Sequence, residues 1–193
     1  MIESSNFREI NEIEKEIIFQ TLSTISPNFS QFMIRSKNIL YISFKELNSK
    51  TNYPNTFLVS NLFQENLGLI KLNSKIHSLG LYFGFFKRRR FYLSLEGAEF
   101  LYKKGMLSAI KFLYVNKKGE KSILYGNNIL KNMILKIPSN IQKEDYLLIF
   151  NEIDEILALA QSKVESKNIK QLNPEDLVAF NLSDKGIYLR EKQ

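Results

Sequence analysis

From residue 110 to its end the chain is cut into short apolar runs separated by turn residues. Ile110–Val115, Tyr146–Phe150, Ile156–Ala160 and Leu177–Leu182 are the clearest of them. Each is strand-sized and bounded by Asn, Gly, Pro or Asp. Roughly six such strands in about 85 residues point to a small β-barrel. Asp184-Lys185-Gly186 separates Leu177–Leu182 from Ile187–Arg190. Asp and Gly tolerate positive φ, so a terminal β-hairpin is expected there. Asn116-Lys117-Lys118-Gly119 reads as a turn. Tyr125-Gly126-Asn127-Asn128 reads as a turn into a short helix over Ile129–Met133, capped by Asn127 or Asn128. Free N–H groups at such a helix start would suit a phosphate.

The first half has longer elements. Asn11 caps a helix, with Glu14 three residues on as in a capping box. Ile13, Ile17, Thr21, Leu22 and Ile25 mark one face, and Pro27 closes it. Gln31–Arg35 and Ile39–Ser43 read as a hairpin around Ser36-Lys37-Asn38. Tyr53-Pro54-Asn55 marks a loop, and residues 61–76 read as a helix weakened at Gly68. Leu79–Phe86 is an aromatic strand, and Phe91–Leu95 alternates cleanly across Lys87-Arg88-Arg89-Arg90. Glu96–Lys104 is a helix ended by Gly105. The expected fold class is α+β. An N-terminal α/β domain over 1–109, with an antiparallel sheet and flanking helices, precedes a small barrel over 110–193.

The composition narrows the function classes. The chain has no cysteine and a single histidine, His77, so thiol chemistry and Cys-based zinc sites are excluded. No phosphate-binding glycine loop is present, and Gly80 with Gly84 makes no dinucleotide fingerprint. His77 has no paired Ser or acid at an informative spacing. No enzyme activity, cofactor or metal is therefore expected. No apolar run approaches the roughly 18 residues of a membrane span. The acidic N-terminus, Glu3 to Glu16, argues against a signal peptide. A cytoplasmic protein is expected, or a nuclear one in a cell with a nucleus.

Net charge is +7, and it is uneven. Residues 1–109 hold 14 Lys and Arg against 9 Asp and Glu, while 110–193 hold 13 against 11. A basic balance suits a polyanion without requiring one. Lys87, Arg88, Arg89 and Arg90 repel one another at a hairpin tip, and an anion would relieve that. Arginine forks suit phosphate. Neighbouring Tyr82, Phe86, Phe91 and Tyr92 would stack bases if open, or form core if not. A solvated loop and a nuclear import signal are the other readings of the tip. Lys163, Lys167 and Lys170 recur at helical spacing among Ser162, Ser166 and Asn168, which suits phosphate and sugar contact but also an ordinary solvent face. Glu144, Asp145, Glu152, Asp154 and Glu155 read as a solvated acidic edge.

Residues 78–101 pair a Ser-Leu-Gly…Phe-Gly strand, a basic turn and Phe-Tyr-Leu-Ser-Leu-Glu-Gly-Ala-Glu-Phe-Leu. Residues 124–131 read Leu-Tyr-Gly-Asn-Asn-Ile-Leu-Lys. Both segments, with 8–22 and 177–190, resemble the Nip-seven family of large-ribosomal-subunit biogenesis factors, the second over eight residues without a gap. The resemblance implies an N-terminal α/β domain joined to a PUA domain, an RNA-binding barrel. It implies a non-catalytic role in pre-rRNA processing, with precursor rRNA, single-stranded or U-rich, and other assembly factors as partners to a monomer. It also implies nucleolar residence in a eukaryote. It puts Lys131, Lys163, Lys167, Lys170 and Arg190 on the RNA face, while charge alone points to the Lys87–Arg90 hairpin. Two departures stand out: Glu155–Ala160 replaces a glycine-rich strand, and Phe85 stands where lysine is common.

Overall fold

The computed structural model describes residues 7–44, 53–63, 76, 78–108 and 110–190. The chain divides into two compact units, Met1–Ser108 and Ala109–Gln193.

The first unit is a five-stranded antiparallel sheet in simple order: β1 (Phe7–Glu9), β2 (Ile39–Ser43), β3 (Asn55–Val59), β4 (Leu81–Lys87) and β5 (Arg90–Leu93). Helices α1 (Glu12–Ser23), α2 (Phe29–Ser36) and α3 (Leu95–Lys103) accompany it. The capping box at Asn11 forms as expected: its side chain accepts from Glu14 N–H at 2.9 Å, and the Glu14 carboxylate accepts from Asn11 N–H at 2.8 Å. The buried stripe of α1 is Ile18 and Leu22, continued by Ile25, whereas Ile13 is 70% exposed. Gln31–Arg35 is not a strand but the middle of α2. Its aromatics follow helical spacing: Phe29 stacks on Phe83 at 5.2 Å, and Phe32 meets Phe100 edge-on at 5.8 Å. Lys37, at φ 52°, ends α2 in the left-handed region and turns the chain into β2. On the sheet's other face Phe7, Tyr41, Phe57 and Val59 cluster, with Phe7 stacked on Tyr41 at 5.1 Å. The alternating strand ends at Leu93, because Ser94 caps α3 by accepting from Gly97 N–H. Of the helix expected over 61–76, residues 61–63 are helical and 64–75 lie outside the described residues.

Arg8 grips Glu14 with two bonds, of 2.9 and 2.7 Å, tying β1 to the start of α1. Burial alone would raise the Glu14 pKa. The Arg8 hydrogen bonds, the Asn11 N–H and the Arg8 charge together outweigh it and hold the carboxyl below its ordinary value. A carboxyl depressed in the folded state contributes stability above its unfolded pKa, and loses it as pH falls through the folded value. Arg8→Met should therefore flatten the acid limb of the stability profile below about pH 4.5. Arg8 is 40% exposed, so the effect should stay under about 1 kcal/mol. Urea unfolding followed at pH 6 and pH 3.5 checks it.

The second unit curls one mixed sheet. Its strands are β6 (Lys111–Val115), β7 (Ile129–Leu130), β8 (Ile134–Lys136), β9 (Tyr146–Phe150), β10 (Ile156–Ser162) and β11 (Leu177–Asp184), in the order β7-β11-β10-β9-β6-β8. Only β6 and β9 run parallel. The two end strands, β7 and β8, are joined by just the 3-10 turn Lys131–Met133. Strands at opposite ends of the order can be that close in sequence only if the sheet bends nearly closed. Leu113, Val115, Ile129, Leu147, Ile149 and Leu157 fill the interior, with Ala158, Ala160 and Ala179 among them. The other elements are α4 (Lys117–Leu124), α5 (Ser166–Ile169) and α6 (Ile187–Arg190).

Three local expectations fail here. Asn116–Gly119 starts α4 rather than turning: Asn116 caps it by accepting from Gly119 N–H at 2.8 Å. Gly119 lets α4 lie tight on the barrel, since a Cβ there would come 2.7 Å from the Cβ of Met133. Tyr125–Asn128 closes that helix instead of opening another. Gly126, at φ 88°, donates to Ile123 O, and Asn127 N–H reaches Ser122 O, the paired bonds of a glycine C-cap. Those N–H groups are thus used within the fold, and Ile129–Met133 is a short strand and a 3-10 turn. Finally, the terminal hairpin is absent. β11 runs on to Asp184, and the chain then makes the single helical turn α6.

Candidate nucleic-acid interface

Asp184 explains that last turn. It is 3% exposed. Its carboxylate accepts from Gly186 N–H at 2.9 Å and from the Asn181 side chain at 3.0 Å. It then receives both arms of Arg190, at 2.9 and 3.0 Å. Arg190 also donates to the carbonyl of Leu124. A helical turn brings residue 190 back over residue 184, where a strand would carry it away. The hydrogen bonds to Asp184 raise the Arg190 pKa. Arg190, expected on the RNA face, thus has its guanidinium engaged within the fold. Gly186 is required by close approach: a Cβ there would fall within 1.8 Å of Leu124 O.

The three lysines of the second cluster surround α5. Lys163 precedes it, Lys167 lies within it and Lys170 ends it; all three are exposed. Lys167 reaches Glu165 at 2.6 Å with its side chain still 76% exposed. The segment is fastened from beneath. Lys163 N–H donates to Val178 O at 2.9 Å, and Ser166 N–H donates to Ile141 O at 3.0 Å. Ile169 is buried. Lys131 comes to the same segment from the 3-10 turn, its ammonium donating to the carbonyls of Lys170 and Leu172. Lys131 therefore shapes the segment as well as adding charge to it.

Lys143 was missed by sequence reasoning. The turn at 142–145 is zipped to the end of β10 by Glu144 N–H to Ser162 O, 2.8 Å, and Ser162 N–H to Asp145 O, 2.9 Å. That sets exposed Lys143 beside the Lys163 region, although twenty residues separate them. Only strand register could have shown it. The acidic residues do not form one edge. Glu144 and Asp145 lie before β9, and Glu152, Asp154 and Glu155 follow it, on a loop organised by Asn151, which accepts from Ile153 and Glu155 N–H. Among the described residues no group of three or more His, Cys, Asp or Glu could hold a metal, and no helix is long and apolar enough to cross a membrane. His77 lies outside the described residues.

Lys87–Arg90 forms the tip of the β4–β5 hairpin, with Lys87 paired to Arg90 and a two-residue loop of Arg88 and Arg89 between them. The aromatic neighbours divide. Phe91 is 2% exposed and packs on Phe83 and Phe86. Tyr82 packs on Phe57. Tyr92 stacks on Phe85 at 5.3 Å and 12°, and Phe85 meets Tyr53 at 5.8 Å. All three of these rings are half-exposed. Phe85 and Tyr53 carried no signal of their own as binding residues, because only the strand pairing aligns them with Tyr92.

The family model "UPF0113 PUA domain" matches residues 111–193. A Saccharomyces cerevisiae protein described as a 60S ribosome subunit biogenesis protein, NIP7, is 23% identical over 186 residues, 96% of this chain and 97% of its own. A UPF0113 protein of Archaeoglobus fulgidus is 29% identical over 105 residues, 54% of this chain and 58% of its own. The crystal structure of a PUA-domain protein from Aeropyrum pernix matches with a TM-score of 0.66 at 14% identity, covering 96% of this chain and 89% of that one. At that identity it shows the fold alone.

Proposed function

We propose, from the match of residues 111–193 to the UPF0113 PUA-domain model and from full-length relatives described as NIP7, that the chain is a non-catalytic RNA-binding factor in biogenesis of the large ribosomal subunit. It binds precursor rRNA as a single strand, through the PUA unit and the basic hairpin, and acts beside other assembly factors. It works as a monomer, in the cytoplasm, or in the nucleolus of a eukaryote. The observation that carries this reading is the exposed lysine segment 163–170, fastened to the barrel at Val178 and Ile141. A fixed backbone spends little entropy when it meets a ligand, and three exposed lysines on it, Lys167 shared with Glu165, suit a phosphate chain. Lys131 and Lys143 extend the same surface.

Binding that neutralises about four phosphates of a single strand releases their counterions, so log K should fall with log salt at a slope of roughly −3. Anisotropy of a labelled U-rich RNA titrated with the intact chain at 50 and 200 mM salt measures it. A flat response would overturn the reading, and a modified nucleoside recovered from the RNA would replace it with an enzymatic one.

A further inference from the structure

We propose that the β4–β5 hairpin is a second RNA contact, selective for single strands, in which Arg88, Arg89 and Arg90 hold backbone phosphate while an unpaired base packs on the Tyr53–Phe85–Tyr92 ladder. It rests on the RNA-binding reading above and specifies how one part of the chain meets the strand.

The turn is the first reason. Arg88 and Arg89 both have positive φ, 49° and 62°. Two such residues between a paired Lys87 and Arg90 make a two-residue hairpin loop of the kind that Asn-Gly fits with least strain. Arginine carries a Cβ and a long side chain into a region that disfavours both. The fold thus keeps strained backbone at the place where its cations are densest, and strain of this kind concentrates at ligand contacts. Among the described residues, none of Arg88, Arg89 and Arg90 has an ion pair or a side-chain hydrogen bond. All three are exposed.

The second reason is what lies next to the tip. Tyr92 is two residues from Arg90, and Phe85 two from Lys87, so each shares a strand face with a cation about 7 Å away. Tyr92 and Phe85 are stacked, Tyr53 extends the row, and the Lys87 ammonium sits 4.9 Å from the Tyr53 ring centre. Cations beside partly exposed aromatic rings match a strand whose bases are unstacked. A duplex offers no free base face to them, so the rings favour single strands.

The test uses the intact chain, a labelled ten-nucleotide oligo-U and a labelled RNA duplex, with anisotropy read at two salt concentrations. Arg88→Asn with Arg89→Gly keeps the turn and removes two cations. It should melt no lower than the wild type, bind oligo-U about tenfold more weakly at 0.1 M salt, and flatten the salt slope by about 1. Phe85→Leu with Tyr92→Leu should weaken oligo-U by at least about fivefold with the slope unchanged, and leave the duplex as it was. Tyr92→Phe, which keeps the ring, should bind as the wild type does. Unchanged oligo-U affinity in the arginine double variant overturns the proposal, as does equal loss of duplex and single strand in the ring variant. If oligo-U binding responds to Lys163, Lys167 and Lys170 but not to the hairpin, this inference falls together with the hairpin's part in the reading above, and RNA binding by the PUA unit stands. If the wild type binds neither RNA, the general reading falls with it.

Discussion

Asp184→Ala should lower the melting point of the C-terminal unit by about 10 °C or more. One buried carboxylate there organises four donors: Gly186 N–H, the Asn181 amide and two arms of Arg190. Alanine leaves the buried Gly186 N–H without an acceptor and takes from the Asn181 amide one of its three acceptors. Each unpaired buried donor costs about 1–3 kcal/mol. The freed Arg190 adds less, since its side chain is 35% exposed and its charge can be hydrated. The damage spreads along the chain, because Asn181 also ties β11 to the end of α4 through Ile123 O and Asn127 O, and Arg190 holds Leu124 O. Asp184→Asn keeps the shape and one carbonyl oxygen, so it should fall between wild type and alanine. Thermal unfolding by circular dichroism measures all three, with the RNA salt slope as the control. If Asp184→Ala melts like the wild type, the cluster is not what closes the C-terminus.

The failures of sequence reading at this same place have a common physical origin. Asp-Lys-Gly predicts a hairpin because Asp and Gly suit positive φ. The glycine at 186 serves close packing on Leu124 instead, and the aspartate serves a carboxylate cluster. Tyr125-Gly126-Asn127-Asn128 predicts a turn into a helix, yet Gly and Asn serve helix ends equally well. What decides is the helix before it, whose start at Asn116 was hidden by the unusual Gly119. That glycine is dictated by Met133 fourteen residues later, not by anything local. Gln31–Arg35 failed for a similar reason: Phe29 and Phe32 show their helical spacing only once Phe83 and Phe100 are in place. Legible elements were those with local causes, such as the Asn11 box, the Gly105 cap after α3 and the apolar strands β9 and β10. Site residues followed the same rule. The Lys87–Arg90 run is contiguous and could be seen. Lys143 and Phe85 join their clusters only through register.

Replacing Lys163, Lys167 and Lys170 together by glutamine should weaken binding of a U-rich single strand by about 100-fold at 0.1 M salt. Each phosphate contact on a single strand contributes about 0.7 to the salt slope, so three account for roughly 2 of the expected 3. At 0.1 M the same 0.7 per contact is about 0.7 in log K, or about fivefold for each lysine. A residual slope of roughly −1 is expected from the remaining cations, the proposed hairpin contact among them. The substitutions spare the fold, because the three side chains are exposed and the segment is fastened by backbone groups of Lys163, Ser166 and Ile141. Lys131 must stay, since its ammonium holds the carbonyls of Lys170 and Leu172, and losing it would confuse a bent loop with a missing charge. Glu165 gives an opposite arm. It pairs with Lys167 at 2.6 Å, so Glu165→Gln should free that cation and tighten binding a few-fold. Anisotropy across 50 to 200 mM salt reads both variants. Loss of affinity with an unchanged slope would assign the lysines to the shape of the segment. Loss of both, with the opposite sign for Glu165→Gln, would assign them to phosphate.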